Sequence, residues 1–270
     1  MSFEDLRLAE PLLRAVRTAG YAQPTPIQVQ AIPHVLAGQD VLGCAQTGTG
    51  KTAAFALPIL QRLGKRSAQS TASKNGIRTL VLCPTRELAQ QIHDSFRTYG
   101  RYTNVRQTVV FGGVNQSPQV RALRTGLEVL IATPGRLLDL MNQGLASVAG
   151  TEILVLDEAD RMLDMGFLPD LRRILAHVPR QRQTLLFSAT MPPSIRKLAG
   201  DILHDPVPVQ VERVSSAAPS VDHWVHHVEK PQKPTLLLRL LAKTPHSRAL
   251  VFTRTKHGAD KVVRQLVKAC

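Results

Sequence analysis

The sequence DVLGCAQTGTGKT, residues 40–52, decides the fold class, because an apolar run is followed at once by a glycine-rich loop. The next residues, AAFALPILQRL, have the composition of a helix. A strand, a glycine-rich turn and a helix in this order are the setting that a phosphate-binding loop of the Walker A type requires. The stretch therefore predicts an α/β domain with a phosphate site where its first strand ends.

The residues of this loop match the chemistry of a bound nucleotide. Gly48 and Gly50 would let backbone N–H groups turn toward phosphate oxygens. Lys51 would reach the β- and γ-phosphates, and the Thr52 hydroxyl would ligate Mg²⁺. The first position is Ala45, where the general pattern has glycine. Because the strict motif is not met, a chance match stays open on the loop alone.

Further apolar runs follow this loop at regular intervals, with helix-length stretches between them. Runs rich in Val, Ile and Leu that turn residues bound are typical of buried strands, and the intervening helices favour parallel pairing. The predicted strands are DVLGCA, RTLVLCPT, RQTVVFGG, EVLIATP, EILVLDEAD, QTLLFSAT and VPVQVE, beginning at residues 40, 78, 106, 128, 152, 183 and 207. They predict a doubly wound parallel sheet that binds its ligand at the carboxyl ends of the strands.

The run ILVLDEAD ends in three carboxylates, Asp157, Glu158 and Asp160. Acidic residues clustered at the end of a buried strand are costly unless a cation or a reaction uses them. In phosphoryl transfer, an Asp at this place holds Mg²⁺ and an adjacent Glu orients and deprotonates the attacking water. Taken alone, the tetrapeptide also fits a solvated loop.

Composition changes along the chain predict four segments. Residues 1–39 form a preamble with a helical pattern in LAEPLLRAVRTAG, ended by Gly20, and then an extended, proline-bearing YAQPTPIQ. Residues 40–208 form the nucleotide-binding domain. Residues 209–220 have the Pro/Ser/Ala composition of a linker, and residues 221–270 begin a second α/β unit.

The second unit is expected to be incomplete. Its pattern predicts a strand in VDHWVHHVE, a helix in PTLLLRLLAK, a strand in RALVFTRT and a helix in GADKVVRQLVKAC. Two strands and two helices are too few to close an independent core, so the unit is a fragment, borrows contacts, or pairs with another chain. The histidines and Trp224 of the first segment also fit a metal site or a base-stacking patch, but an alternating strand explains them more simply.

The bulk composition favours a soluble protein with a polyanionic partner. The chain has 270 residues, 43% of them hydrophobic, and a formal net charge of +14. No apolar run approaches the roughly 20 residues of a membrane helix, and the start MSFEDLRLAE does not resemble a signal peptide. The three cysteines lack the spacing of a disulfide framework or a zinc site. We therefore expect a cytoplasmic protein without a membrane partner.

Taken together, the motifs resemble those of the DEAD-box RNA helicases, most closely the bacterial RhlE-like branch, over residues 3–255. The name-giving tetrapeptide spans residues 157–160, and the other matches stand in the family's order. They are Phe3 with GYAQPTPIQ (20–28), AQTGTGKT (45–52), PTRELA (84–89), Gly112-Gly113, TPGR (133–136) and SAT (188–190). The resemblance implies two RecA-like domains, of which this chain would hold the first and part of the second.

The resemblance also implies a residue-by-residue nucleotide site for ATP and Mg²⁺. Tyr21 would stack on adenine and Gln28 would hydrogen-bond its edge, with Phe3 supporting that segment. The alternative is that Tyr21 and Phe3 are only core aromatics. The phosphates would lie against Ala45, Gln46, Thr47, Gly48, Thr49, Gly50, Lys51 and Thr52. Thr52 and Asp157 would hold the metal, and the catalytic residues would be Lys51, Asp157 and Glu158.

By the same resemblance, a second set of residues would contact the RNA backbone with little sequence specificity. These residues are Pro84, Thr85, Arg86, Gly112, Gly113, Thr133, Pro134, Gly135 and Arg136. In this set, the Thr133 hydroxyl is expected to cap a helix that begins at Pro134, so that the helix N-terminus points at phosphate. Asp160, Ser188 and Thr190 would couple the acidic cluster to RNA binding. A nucleophilic role for Ser188 is the rival idea, but no GxSxG turn surrounds it.

RALVFTRT resembles the family's motif IV, with Phe252 at the aromatic position, but the two later motifs that carry the family's arginines are not present. The resemblance therefore implies an ATP-dependent RNA helicase, and for this chain it implies ATP binding with impaired turnover. Two alternatives stay open. One is a non-catalytic, ATP-gated module that binds RNA or recruits a partner, and the other is a DNA helicase of the same superfamily.

Overall fold

The structure, a computed structural model, describes residues 1–46, 48–66, 76–210, 222, 224–243 and 248–269. The chain divides into two compact units, Met1–Ser215 and Ser216–Cys270. Most of the predicted linker, together with Thr47, His223 and Cys270, lies outside the described residues. No helix in the described part of the chain is both long and apolar enough to cross a membrane.

The first unit contains a seven-stranded sheet whose strand pairs are all parallel, in the order β3-β4-β2-β5-β6-β1-β7. The strands are β1 (Val41–Cys44), β2 (Thr79–Leu82), β3 (Gln107–Val110), β4 (Val129–Ala132), β5 (Ile153–Leu156), β6 (Gln183–Ser188) and β7 (Val207–Gln210). Each lies within an apolar run of the sequence. The predicted α/β fold with a doubly wound parallel sheet is thus confirmed.

Helices cover both faces of the sheet. In the first unit they are α1 (Glu10–Thr18), α2 (Pro26–Ala37), α3 (Lys51–Arg66), α4 (Arg86–Tyr99), α5 (Ser117–Arg124), α6 (Pro134–Asn142), α7 (Ala159–Asp164), α8 (Leu168–Leu175) and α9 (Pro193–Ile202). One apolar core packs side chains of α1 to α4 against one face, with Phe55, Phe96 and Phe187 among the largest fully buried. A second core packs α6 to α9 against the other face.

The preamble departs from its prediction. The stretch YAQPTPIQ was expected to be extended throughout, but α2 begins inside it at Pro26. Thr25 is the N-cap, Pro26 occupies the first helical turn, and the Gln28 side chain accepts from the Thr25 N–H at 3.0 Å, which is one of the two bonds of a capping box. A proline that would break a helix interior is therefore compatible with this helix start.

In the second unit both predicted helices form, but the described residues of the two predicted strands do not form strands. Its helices are α10 (Lys233–Lys243) and α11 (Lys256–Ala269), and residues 224–229 and 248–252 have no regular secondary structure. A strand exists only where a neighbour pairs with its backbone, and among the described residues of this unit no such ladder forms. Leu250 and Phe252 are accordingly more than 80% exposed, at 81% and 87%.

Candidate functional site

The strand order sorts the predicted site residues into two groups along the carboxyl edge of the sheet. The neighbouring strands β3, β4 and β2 lead into Gly112-Gly113, the TPGR segment and the PTRELA segment, all predicted to contact RNA. The neighbouring strands β5, β6 and β1 lead into the acidic cluster, the SAT segment and the phosphate loop. The nucleotide group and the RNA group therefore occupy adjoining halves of one edge.

The phosphate loop is shaped by two glycines and closed by its lysine. Gly48 and Gly50 have φ of +88° and +90°, a region that other residues rarely adopt. Lys51, the first residue of α3, is 5% exposed and donates from Nζ to the Ala45 carbonyl at 2.9 Å. Its Nζ also lies 3.9 Å from Asp157 Oδ1. A phosphate group would have to replace the bond to the Ala45 carbonyl.

Gln28 joins the preamble to this loop. Its side chain is buried, and its Nε2 donates to the Gly50 carbonyl at 3.0 Å while its Oε1 accepts from the Thr25 N–H at 3.0 Å. A methyl group added at Gly50 would lie 2.5 Å from Gln28 Nε2, so the two segments pack closely. Sequence reasoning assigned Gln28 to adenine alone and missed this contact. The capping-box pattern TPIQ was the available signal for the helix that positions it.

The two aromatic residues predicted near adenine have different surroundings. Tyr21 is 48% exposed, and the centroid of its ring lies 6.0 Å from that of the Tyr99 ring. The hydroxyl oxygens of the two tyrosines are 3.4 Å apart. Burial and this hydroxyl contact raise the pKa of Tyr99. Phe3 is 5% exposed and belongs to the core that α1 to α4 form. Tyr21 thus offers a face to a ligand, whereas Phe3 is a core residue that supports its segment.

The acidic cluster begins where β5 ends. Asp157 is buried, and burial raises its pKa to about 6, with Lys51 opposing the rise and Glu158 adding to it. Glu158 has a left-handed backbone, with φ of 51°, and its N–H donates to Asp157 Oδ1 at 3.0 Å. A non-glycine residue in this region costs about 1–2 kcal/mol and commonly marks a functional site. Burial and the charges of both acids also raise the pKa of the Cys83 thiol.

These residues fit a magnesium ion that a nucleotide brings with it. The buried carboxylate of Asp157 has Lys51 near it to offset part of its negative charge, and a bound cation would offset the rest. Within the described residues no cluster of three or more His, Cys, Asp and Glu could hold a metal by itself. Mg²⁺ does not require such a cluster, because it is usually held by one or two carboxylates together with phosphates and water.

The predicted coupling residues are in contact. Asp160 Oδ2 accepts from the Thr190 N–H at 2.9 Å and from the Thr190 hydroxyl at 2.8 Å. Ser188 Oγ accepts from the Asp160 N–H at 3.2 Å and donates to the Thr190 carbonyl at 2.8 Å. Burial alone would raise the pKa of Asp160, but these hydrogen bonds lower it. Ser188 is fully buried with its hydroxyl engaged, which disfavours the idea of a nucleophile.

On the RNA half, arginines lie against the glycine pair. A methyl group added at Gly113, whose φ is +76°, would lie 2.4 Å from the Arg86 guanidinium. Arg136 donates from Nη2 to the Val114 carbonyl at 3.1 Å, and its buried Nη1 has no hydrogen-bond partner among the described residues. Pro84 is buried behind this surface. The three segments therefore meet in one place and present guanidinium donors there.

One prediction for this half is wrong in part. α6 begins at Pro134 as expected, but the Thr133 hydroxyl makes no capping hydrogen bond. The hydroxyl that caps a helix is that of Thr85, which accepts from the Leu88 N–H at 3.2 Å at the start of α4. Thr133 is 7% exposed, and its backbone N–H bonds the Val110 carbonyl of the neighbouring strand. Exposed Gly135 follows in the first turn of α6.

Comparison with known proteins gives consistent matches. A family model described as DEAD/DEAH box helicase matches residues 25–198. The ATP-dependent RNA helicase DeaD of Mycobacterium tuberculosis is 41% identical over 266 residues, which is 98% of this chain and 46% of that protein. The DEAD-box ATP-dependent RNA helicase CshA of Streptococcus pneumoniae is 41% identical over 98% of this chain and 49% of its own length.

A plant relative and a solved structure extend these matches. DEAD-box ATP-dependent RNA helicase 30 of Arabidopsis thaliana is 42% identical over 98% of this chain and 45% of its own length. A crystal structure of a DEAD box protein from the hyperthermophile Methanococcus jannaschii superposes with a TM-score of 0.72 at 33% identity, covering all of this chain and 70% of the other. The chain thus spans about half the length of the curated relatives it matches.

Proposed function

Because the chain belongs to the DEAD/DEAH box helicase family, we propose that it provides the ATP-binding half of an ATP-dependent RNA helicase. In the whole protein, RNA would stimulate ATP hydrolysis, and the ATP-bound state would open short RNA duplexes. The names of its relatives, which are ATP-dependent RNA helicases, support this proposal.

The observation that carries the proposal is that the two halves of the carboxyl edge adjoin each other. The sheet order places the phosphate loop and acidic cluster beside the RNA segments. Asp160, Ser188 and Thr190 form a closed set of hydrogen bonds next to the acidic cluster. These bonds tie the SAT segment to the acidic cluster, and the Asp157 N–H donates to the Leu82 carbonyl at the end of β2, the strand that leads into the PTRELA segment. A change at the γ-phosphate would therefore reach the RNA half through the adjacent ends of β5 and β2, which is the coupling that a nucleotide-driven helicase needs.

On the nucleotide half, each side chain has a defined task. Lys51 exchanges its bond to the Ala45 carbonyl for the phosphates, and Thr52 and Asp157 would hold Mg²⁺, which supplies charge compensation to the phosphates when bound. Glu158, fixed by its left-handed backbone, orients the attacking water and accepts its proton. Tyr21 and Gln28 would select adenine by stacking and by hydrogen bonding.

On the RNA half, Arg86 and Arg136 supply charge-assisted hydrogen bonds to phosphates. The helices that begin at Arg86 and Pro134 direct their N-termini toward the same surface. Contacts of this kind read the backbone and not the bases, so we expect little sequence specificity and a steep loss of affinity with salt.

For the 270-residue polypeptide we propose ATP binding with weak turnover that RNA stimulates poorly. The arginines that the family brings to the transferring phosphoryl group are not among the motifs that this sequence matches. In comparable enzymes such an arginine contributes about 10³-fold or more to the rate.

The test is ATP turnover by the chain with and without single-stranded RNA, with Lys51→Ala as the blank and a DNA oligonucleotide as a second activator. Slow, Lys51-dependent turnover is the expected result. RNA-stimulated turnover at ordinary helicase rates by a monomer would refute the proposed impairment. Retained ATP and RNA binding with no turnover at all would favour the non-catalytic module, and activation by DNA alone would favour a DNA helicase.

A further inference from the structure

The two edges of the sheet are protected differently. The edge strand β7 contains Pro208, and a proline on an edge strand removes a backbone donor and discourages pairing with another chain. The opposite edge strand, β3, has the sequence QTVV, with neither a proline nor a charge. Such a strand has high β-propensity and is suited to accept a further strand.

The hydrogen bonds of β3 define which backbone groups face outward. The carbonyl of Arg106 accepts from the N–H groups of Glu128 and Val129, and the carbonyl of Val110 accepts from the Thr133 N–H. Because inward and outward groups alternate along a parallel strand, Gln107 and Val109 direct their backbone groups away from the sheet. No described residue hydrogen-bonds these groups from the outer side.

The residue after β3 shows what a partner at this edge would do. The Gln119 side chain of α5 accepts from the Phe111 N–H and donates to the Phe111 carbonyl, both at 3.2 Å. One amide thus makes the pair of bonds that a neighbouring strand would make to an outward-facing residue. Gln119 closes the edge at Phe111, but no residue in the described part of the chain pairs with the outward groups of β3.

A cavity of about 370 Å³ lies along the open part of this edge. It is lined by residues 105–108 on one side and by Ala122, Thr125, Gly126 and Leu127 on the other. Gln107 also lines it, and the buried Oε1 of Gln107 has no hydrogen-bond partner among the described residues.

The charges around the cavity are mostly positive. Arg121 and Arg124 lie exposed in the last turn of α5, next to the lining residues. The acidic neighbour is Glu128. Its Oε2 accepts a hydrogen bond from the backbone N–H of Arg106 at 2.7 Å and lies 3.8 Å from the Nε of the same arginine. The positive electrostatic potential beside the cavity therefore favours a segment that carries carboxylates.

From these observations we propose that the outer edge of β3 binds an extended, acidic peptide segment of a partner protein by strand addition. Backbone hydrogen bonds to Gln107 and Val109 supply the contact that does not depend on sequence. Arg121 and Arg124 select acidic side chains on the partner. This docking surface is separate from the carboxyl edge that carries the nucleotide and RNA residues.

The test uses the full 270-residue chain and fluorescein-labelled short peptides that alternate glutamate with valine. Fluorescence anisotropy should show saturable binding of this peptide, and the same peptide with N-methylated valines or with lysine in place of glutamate should bind at least about tenfold more weakly. Hydrogen exchange should slow at the amides of Gln107 and Val109 when the peptide binds.

Two variants separate the backbone contact from the charge contact. Gln107→Pro removes an outward donor without touching the β4 ladder and should weaken binding about tenfold or more. Arg121→Glu with Arg124→Glu should do the same and should improve binding of the lysine peptide. The matched control, Arg172→Glu with Arg173→Glu on α8, makes the same charge change elsewhere and should leave binding unchanged.

Three results would overturn the proposal. The first is binding that neither variant changes. The second is displacement of the peptide by oligouridine combined with insensitivity to Gln107→Pro, which would assign the arginines to nucleic acid. The third is dimerisation of the chain that Gln107→Pro abolishes, which would make a second copy the occupant. Peptide binding should persist in Lys51→Ala, so its outcome is independent of the proposed ATP site.

Discussion

Replacing Gln28 by glutamate tests the link between the preamble and the phosphate loop. The substitution keeps the side-chain length and keeps an oxygen that can accept from the Thr25 N–H. It replaces Nε2, which donates to the Gly50 carbonyl at 3.0 Å, by a second oxygen. Two acceptors would then face each other at a position that is 3% exposed.

The magnitude follows from this geometry. Loss of the hydrogen bond costs about 1 kcal/mol, and a buried acceptor left without a partner costs a further ~1–3 kcal/mol. A carboxylate in the first turn of α2 regains about 0.3–1 kcal/mol from the helix dipole. We therefore expect a net loss of about 1–3 kcal/mol, which corresponds to a fall in Tm of about 2–10 °C for a domain of this size. ATP affinity should fall about tenfold or more, because the carboxylate cannot donate.

Thermal unfolding and isothermal titration with ATP measure the two effects. The matched control is Gln30→Glu, which makes the same chemical change on an exposed residue of the same helix. We expect Gln30→Glu to change Tm by no more than about 1–2 °C and to leave ATP affinity unchanged. Equal behaviour of the two variants would refute the structural role assigned to the bond between Gln28 and Gly50.

Two further predictions concern the RNA half and the pH dependence of stability. Gly113→Ala should displace Arg86 and weaken RNA binding about fivefold or more, with unchanged ATP affinity. Gly144 has a similar positive φ but open space around it, so Gly144→Ala should leave RNA binding unchanged. Salt-dependent RNA titrations compare the two variants. Burial lowers the pKa of His93, so the unfolded chain binds the proton more readily and stability falls as the pH drops through about 6.5. Urea unfolding across that range should show that the free energy of unfolding falls less with decreasing pH in His93→Gln than in the unsubstituted chain. Identical pH profiles of the two proteins would contradict this cause.

The strands were predictable because their signals are local. β2, β4 and β5 are buried on both faces, so their sequences TLVL, VLIA and ILVL are almost entirely apolar and stand out in the sequence. The phosphate loop and the acidic cluster were predictable for the same reason, since each is defined by a few consecutive residues.

Features that depend on distant residues were not predictable. The contact between Gln28 and Gly50 joins residues 22 positions apart, and nothing in either segment specifies the other. The strand order, which divides the carboxyl edge into two halves, arises from tertiary packing. In the second unit, RALVFTRT has the composition of a strand, but composition cannot supply the neighbouring backbone that a strand needs.

Thr133 and Thr85 illustrate a subtler limit. Both precede a helix, and sequence reasoning assigned the capping hydroxyl to Thr133. In the structure only Thr85 caps with its side chain. The residue type permits a cap, but the rotamer that makes it depends on packing around the side chain.

Isothermal titration of the 270-residue chain with ATP and Mg²⁺ measures whether residues 45–52 and the acidic cluster bind ATP. Lys51→Ala is the test variant, and Lys197→Ala removes an exposed lysine of α9 as its control. We expect binding by the unsubstituted chain and by Lys197→Ala, and binding at least about tenfold weaker in Lys51→Ala. Equal ATP affinity in all three proteins, or no binding by the unsubstituted chain, would contradict it.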